Sequence, residues 1–129
     1  MLFRSLVDDN AAFLRTLTAN LKSVGFETHA TTNPLDALAA AREFMPDLII
    51  LDVVMPTQDG GDLYKTLRAQ AEFRHTPIIF ITGAVDTPTY NNGMIFLPKT
   101  LKFAQITAEI QKALAAKPRE NSARDARPV

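Results

Sequence analysis

The sequence predicts an α/β fold in which helices cover a parallel sheet. Three observations carry that prediction. Apolar runs bounded by turn residues alternate with stretches whose apolar residues recur three and four apart, the pattern of strand and crossover helix. Two of the runs, "DLIILD" (47–52) and "PIIFIT" (77–82), are apolar on both faces, as central parallel strands are. The chain, 129 residues and 47% hydrophobic, has the size of one domain and enough apolar content for one buried core.

Taken in order, "LFRSLV" (2–7) is the first strand, and Asn10 caps a helix that Gly25 stops. Phe13, Leu14, Leu17, Leu21 and Val24 form its apolar stripe. "FETHAT" (26–31) alternates Phe26, Thr28 and Ala30 against Glu27, His29 and Thr31, as a half-exposed edge strand does. Asn33 and Pro34 open a second, alanine-rich helix that runs to about Phe44. After the strand at 47–52, "GGDLYKTLRAQ" (60–70) is a third helix packing Leu63, Tyr64 and Leu67, and the strand at 77–82 follows. "MIFL" (94–97) is the fifth and last strand, and "LKFAQITAEIQKALAA" (101–116) a final amphipathic helix. The segment from Gly83 to Gly93 is eleven residues with Pro88 inside it. As a helix it would rise roughly 16 Å and leave nothing for loops, so a loop or a single turn is expected there. From Lys117, "KPRENSARDARPV" reads as a disordered tail (117–129), which leaves 1–116 as the domain.

Charge and composition narrow the function. Fourteen basic residues balance 14 acidic ones, so the broad basic footprint of nucleic-acid or anionic-membrane binding is missing. The absence of cysteine removes disulfides and thiolate chemistry, and no apolar run reaches membrane-spanning length. A cytoplasmic protein with neither nucleic acid nor membrane as partner is expected. His29 and His75 read as solvated side chains.

Ligands of open parallel sheets bind beyond the carboxyl ends of the strands. By that rule Asp8 and Asp9 after the first strand, Asp52 ending the third, Thr82 ending the fourth and Lys99 just after the fifth converge on one patch. The paired "DD", the "LDVVMP…DG" run, the "ITG" and the lysine stand in order at the strand ends. In this the chain, over residues 2 to about 116, resembles the receiver domain of two-component response regulators.

The resemblance implies a three-layer flavodoxin-like (βα)5 fold, with a five-stranded parallel sheet of order 2-1-3-4-5 and a fourth helix absent or reduced to about one turn. It also implies a stand-alone response regulator, not an enzyme in its own right. Asp52 would be phosphorylated by a histidine kinase or phosphotransferase, and the protein would act on an unknown protein target or pass the phosphoryl group on. A carboxylate can attack a phosphoryl group to give an aspartyl phosphate. Asp8, Asp9 and Asp52 together would be like charges in close quarters, a conflict that Mg²⁺ resolves. In the family Asp9 would ligate the metal directly, Asp8 through water, and the backbone carbonyl of Val54 would complete the protein ligands with Asp52. Thr82 and Lys99 would bind phosphoryl oxygens, and Gly83 would leave the acceptor sterically open. Thr82 and Phe96 would form the switch, the aromatic ring turning inward as the threonine moves.

Blander readings stand beside these. Asp52 could be a buried cap or ion-pair member, Asp8 and Asp9 a capping turn, Thr82 a strand residue and Phe96 ordinary packing. Two departures from the family bear on function. Thr100 follows Lys99 where the family has a proline in a cis peptide, and Pro98 precedes it, fitting an edge strand. The short fourth segment leads to the expectation that signalling, a homodimer included, uses a nonstandard face of the first and last helices and the exposed fifth strand. A pseudo-receiver that binds partners without switching is the alternative. A phosphatase of the dehalogenase type would want a second acid where Val54 stands.

Overall fold

A computed structural model describes residues 3–7, 11–53, 60–91 and 93–116. The expected caps and ligands Asn10, Asp8, Asp9 and Val54, and the tail from Lys117, lie outside them. Strand β1 (Phe3–Val7) leads to α1 (Ala11–Ser23), which buries Leu14, Leu17 and Leu21 along one stripe. Val24, expected on that stripe, is 49% exposed. The helix has already ended at Ser23, and Gly25, at φ 95°, turns the chain toward β2 (Glu27–Thr31). The alternation expected of β2 holds from Phe26 to Thr28 and then fails: His29 and Thr31 are half-buried, and Ala30 is exposed, lining an open groove between α1 and β2 with Leu14 and Thr18. Neither histidine is simply solvated: both are half-buried, and the His29 ring stacks on Phe44 with centroids 4.0 Å apart.

Asn33 accepts the Leu35 N–H at its Oδ1 (3.0 Å) and starts a 3-10 turn, Pro34–Asp36, that continues into α2 (Ala37–Phe44). β3 (Leu48–Leu51) is buried throughout, as its apolar run requires. α3 (Gly60–Arg68) buries Leu63 and Leu67, and the 3-10 turn Ala71–Phe73 then buries Phe73. The Arg68 guanidinium donates to the carbonyls of Phe73 (2.8 Å) and Thr76 (2.5 Å), which fixes the approach to β4 (Ile78–Thr82).

After β4 the structure departs from the expected five strands. Residues 83–91 contain no helix, but they are not merely a loop: Thr89–Asn91 forms a strand, β5, antiparallel to β6 (Met94–Pro98). The described residues make a six-stranded sheet of order β2-β1-β3-β4-β6-β5, in which every pairing but the last is parallel. A segment too short for a helical crossover is long enough for a hairpin, since antiparallel neighbours need only a two-residue connection. The sequence carries that signal in Asn92-Gly93, and Gly93 has φ 80°, a conformation other residues adopt at a cost.

Two expectations about the fifth parallel strand are thereby corrected. β6 is not an exposed edge, because β5 covers it. Pro98 therefore does not mark an edge strand; it is tolerated because β5 reaches only as far as Phe96, which pairs with Thr89.

The described part of the chain ends in α4 (Phe103–Ala115), the final amphipathic helix expected over 101–116. Gln105 accepts the Lys102 N–H at its Oε1 (3.2 Å) at the helix start. On one sheet face Leu48, Ile50, Ile79, Ile81 and Leu97 pack with Leu14, Leu17 and Leu21 of α1 and Ile106 and Ile110 of α4. On the other, Ile49, Leu51, Ile78 and Phe80 pack with Ala37 and Ala41 of α2 and Leu63 and Leu67 of α3. Strands buried on both faces hold their carboxyl ends rigidly, and that rim carries the candidate site.

Candidate functional site

β3, β4 and β6 lie side by side and parallel, so the residues that follow them share one rim of the sheet. Asp52 follows β3 and is 4% exposed. A carboxylate this dry needs a compensating charge, and the Lys99 ammonium supplies one: its Nζ stands 3.1 Å from Asp52 Oδ2. Thr82, the last residue of β4, is buried, and its Oγ1 accepts the Ala84 N–H at 3.1 Å. Its carbonyl accepts the Lys99 N–H, also at 3.1 Å, so the backbone of the lysine is tied to the strand that ends in the threonine.

The Lys99–Thr100 peptide is trans, as are all peptide bonds among the described residues. The ammonium nevertheless reaches the carboxylate without the cis bond of the family pattern. Below it lies Phe13 of α1, with Nζ 4.8 Å from the ring centroid.

Three of the five residues expected on the patch, Asp52, Thr82 and Lys99, are thus together. Asp8 and Asp9 lie outside the described residues. Val7 and Leu51 are register partners in β1 and β3, and each is followed in sequence by an aspartate. No cluster of three or more histidine or acidic side chains occurs among the described residues, where Asp52 is the one member of the expected ligand set. Side-chain and carbonyl oxygens are the donors Mg²⁺ takes, so the chemistry of the whole set, Asp8, Asp9, Asp52 and Val54, fits that ion.

Phe96 is half-buried on the α2/α3 face of β6, its ring stacked on Phe80 at 4.8 Å with 12° between the planes. Tyr64 of α3 flanks Phe80 at 5.6 Å, so Phe96 ends an aromatic row. At Gly83 an added Cβ would meet nothing within 4 Å, which makes the ground beside Thr82 open.

Two contacts were missed by sequence reasoning. Phe13 reads as a core residue because it falls on an amphipathic stripe, and only its place in the first turns of α1, at the site end of the sheet, hints otherwise. Tyr90 of β5 donates its hydroxyl to Glu109 of α4 at 2.9 Å, and nothing in the sequence announces a bond between a loop and a helix nineteen residues on.

Known proteins resemble this chain in sequence and in fold. DNA-binding response regulator MtrA of Mycobacterium leprae is 38% identical over 114 residues, 84% of this chain and 49% of MtrA. Polar-differentiation response regulator DivK of Brucella anthropi is 38% identical over 78 residues, 60% of this chain and 63% of DivK. The chain therefore spans about half to under two thirds of the curated relatives it matches. The crystal structure of the receiver domain from hybrid histidine kinase CckA superposes with a TM-score of 0.74 at 29% identity, over 87% of this chain and 98% of that one. Residues 5–111 match the response regulator receiver domain, and the chain belongs to that family.

Proposed function

We propose that this receiver is phosphorylated on Asp52 and that Lys99 and Thr82 serve that event. The observation that carries the reading is the contact between Lys99 and the buried Asp52 at the carboxyl ends of neighbouring strands. An Asp52 oxygen attacks phosphorus; a new O–P bond forms as the bond to the donor breaks. From a phosphohistidine of a kinase or phosphotransferase, the electron pair of the P–N bond leaves with the imidazole, which takes its proton from solvent. From acetyl phosphate it leaves as acetate.

The transferred group spreads charge over its equatorial oxygens, and catalysis of such transfer is mostly positioning and charge stabilisation. Lys99 stands where it can pair with one of those oxygens. The Thr82 hydroxyl, while accepting the Ala84 N–H, keeps its own proton to donate to another. Asp8, Asp9, Asp52 and the Val54 carbonyl would hold Mg²⁺, which supplies charge neutralisation between donor and acceptor. Phe96, whose neighbour on one side is Phe80, is the aromatic partner of Thr82 in switching. The readout is protein binding or onward transfer in the cytoplasm.

Incubation of the full chain with Mg²⁺ and acetyl phosphate, followed by intact mass, tests the reading. The native protein should gain one phosphoryl group and Asp52→Asn none. No adduct on the native protein, together with no binding of beryllofluoride, would favour an interaction module that does not switch.

A further inference from the structure

Lys99 reaches Asp52 from a trans peptide, and its ammonium also stands over the Phe13 ring. The backbone itself is fixed: the Lys99 N–H is bonded to the Thr82 carbonyl, and the Leu101 N–H to the Pro98 carbonyl at 3.0 Å. Those bonds place the Cα but leave a flexible four-carbon stem whose head is a strongly hydrated point charge. That head is only partly withdrawn from water, with the lysine side chain 22% exposed. It lies 4.8 Å from the centroid of the Phe13 ring, within the range over which a ring face attracts an ammonium.

The ring is itself held. Phe13 sits one helical turn before Leu17 on α1, packs against the α1/α4 core cluster, and shares a groove of about 480 Å³ with Lys99, Leu101 and Phe103. The ammonium is thus bracketed by the Phe13 ring and the Asp52 carboxylate, two groups delivered by different elements.

We propose that Phe13 is the positioning residue for Lys99, its ring face holding the ammonium over the Asp52 carboxylate. The inference rests on the reading of Asp52 as phosphoacceptor and deepens it by naming what orients the cation there.

The test replaces Phe13 in the full chain by leucine, tyrosine and 3,4,5-trifluorophenylalanine. Fluorination drains the ring face of negative potential while nearly keeping its shape, so it separates attraction from packing. Two quantities are measured: the initial rate of adduct formation at Asp52 from acetyl phosphate with Mg²⁺, and the NMR shifts of the Lys99 side-chain methylene protons. The native methylene signals should be displaced upfield by the ring current and return to ordinary positions in Phe13→Leu. The rate should fall about 3- to 10-fold in both the leucine and the trifluoro variants, and Phe13→Tyr should recover most of it. A trifluoro variant as fast as native, or methylene shifts unchanged by Phe13→Leu, overturns the proposal. If the leucine variant fails to fold, the nearly isosteric trifluoro variant decides. A native protein that takes up no phosphoryl group fails the reading of Asp52 alone, whereas the methylene shifts decide Phe13 in either case.

Discussion

At the scale of single residues, the site is a problem in desolvation. Asp52 has lost most of its water, and Lys99 returns part of that lost stabilisation across 3.1 Å. In the proposed transfer the same ammonium would face new negative oxygens, so its contribution would grow as the group arrives. Removing one such donor costs roughly a hundredfold or more in rate. Lys99→Ala should therefore slow phosphoryl uptake from acetyl phosphate by about 10²-fold, as read by initial rates at saturating Mg²⁺. A native rate would remove Lys99 from the chemistry. That Asp52, Thr82 and Lys99 share one rim was legible in the sequence, because apolar runs announce where buried strands end. The route by which Lys99 arrives was not. Its trans peptide and its contact with Phe13 depend on three-dimensional juxtaposition of α1 with the turn after β6, and an aromatic on a helical stripe reads as core whatever lies above it.

At the scale of elements, a hairpin stands where a fourth helical crossover has no room. β5 is exposed along its length, and its attachment to the body beyond the ladder to β6 includes the Tyr90–Glu109 bond to α4. The carboxylate acceptor holds the phenol protonated and raises its pKa, with slight desolvation and the charge of Glu109 adding to the effect. Because the folded pKa is raised, the bond contributes fully below the ordinary tyrosine value near 10 and is lost as pH rises through the folded value. The chain has two tyrosines, so in a Tyr64→Phe background ultraviolet titration reports Tyr90 alone. The midpoint should lie above that of a free tyrosine and fall toward it in Glu109→Ala; equal midpoints would show that the bond is not held in solution. The sequence disclosed that no helix fits between Gly83 and Gly93, because length is an arithmetic constraint. It also holds the hairpin signal, Asn92-Gly93, but the strand before that turn, Thr89–Asn91, is three exposed residues with no apolar run to announce it.

At the scale of the molecule, two clusters of apolar side chains clamp the sheet, one beneath α1 and α4 and one beneath α2 and α3. Ile110 of α4 has no exposed surface, and its neighbour Glu109 is the partner of Tyr90. Ile110→Ala should cost about 2–5 kcal/mol in urea unfolding, a large part of what holds a domain this size together. A cost under about 1 kcal/mol would mean that α4 is not seated as described. The covering of both faces was legible, since runs apolar on both sides leave no alternative; the occupant of the last edge was not. That edge also bears on how the chain folds. The parallel pairings among β1 to β4 must wait for a helical crossover to close, whereas β5 and β6 are joined by two residues, Asn91 being the partner of Met94. Such hairpins form in about 1–10 μs, earlier than contacts that must first close a long loop. The hairpin at the edge thus closes over a loop of two residues, and growth of the sheet stops at a strand of three.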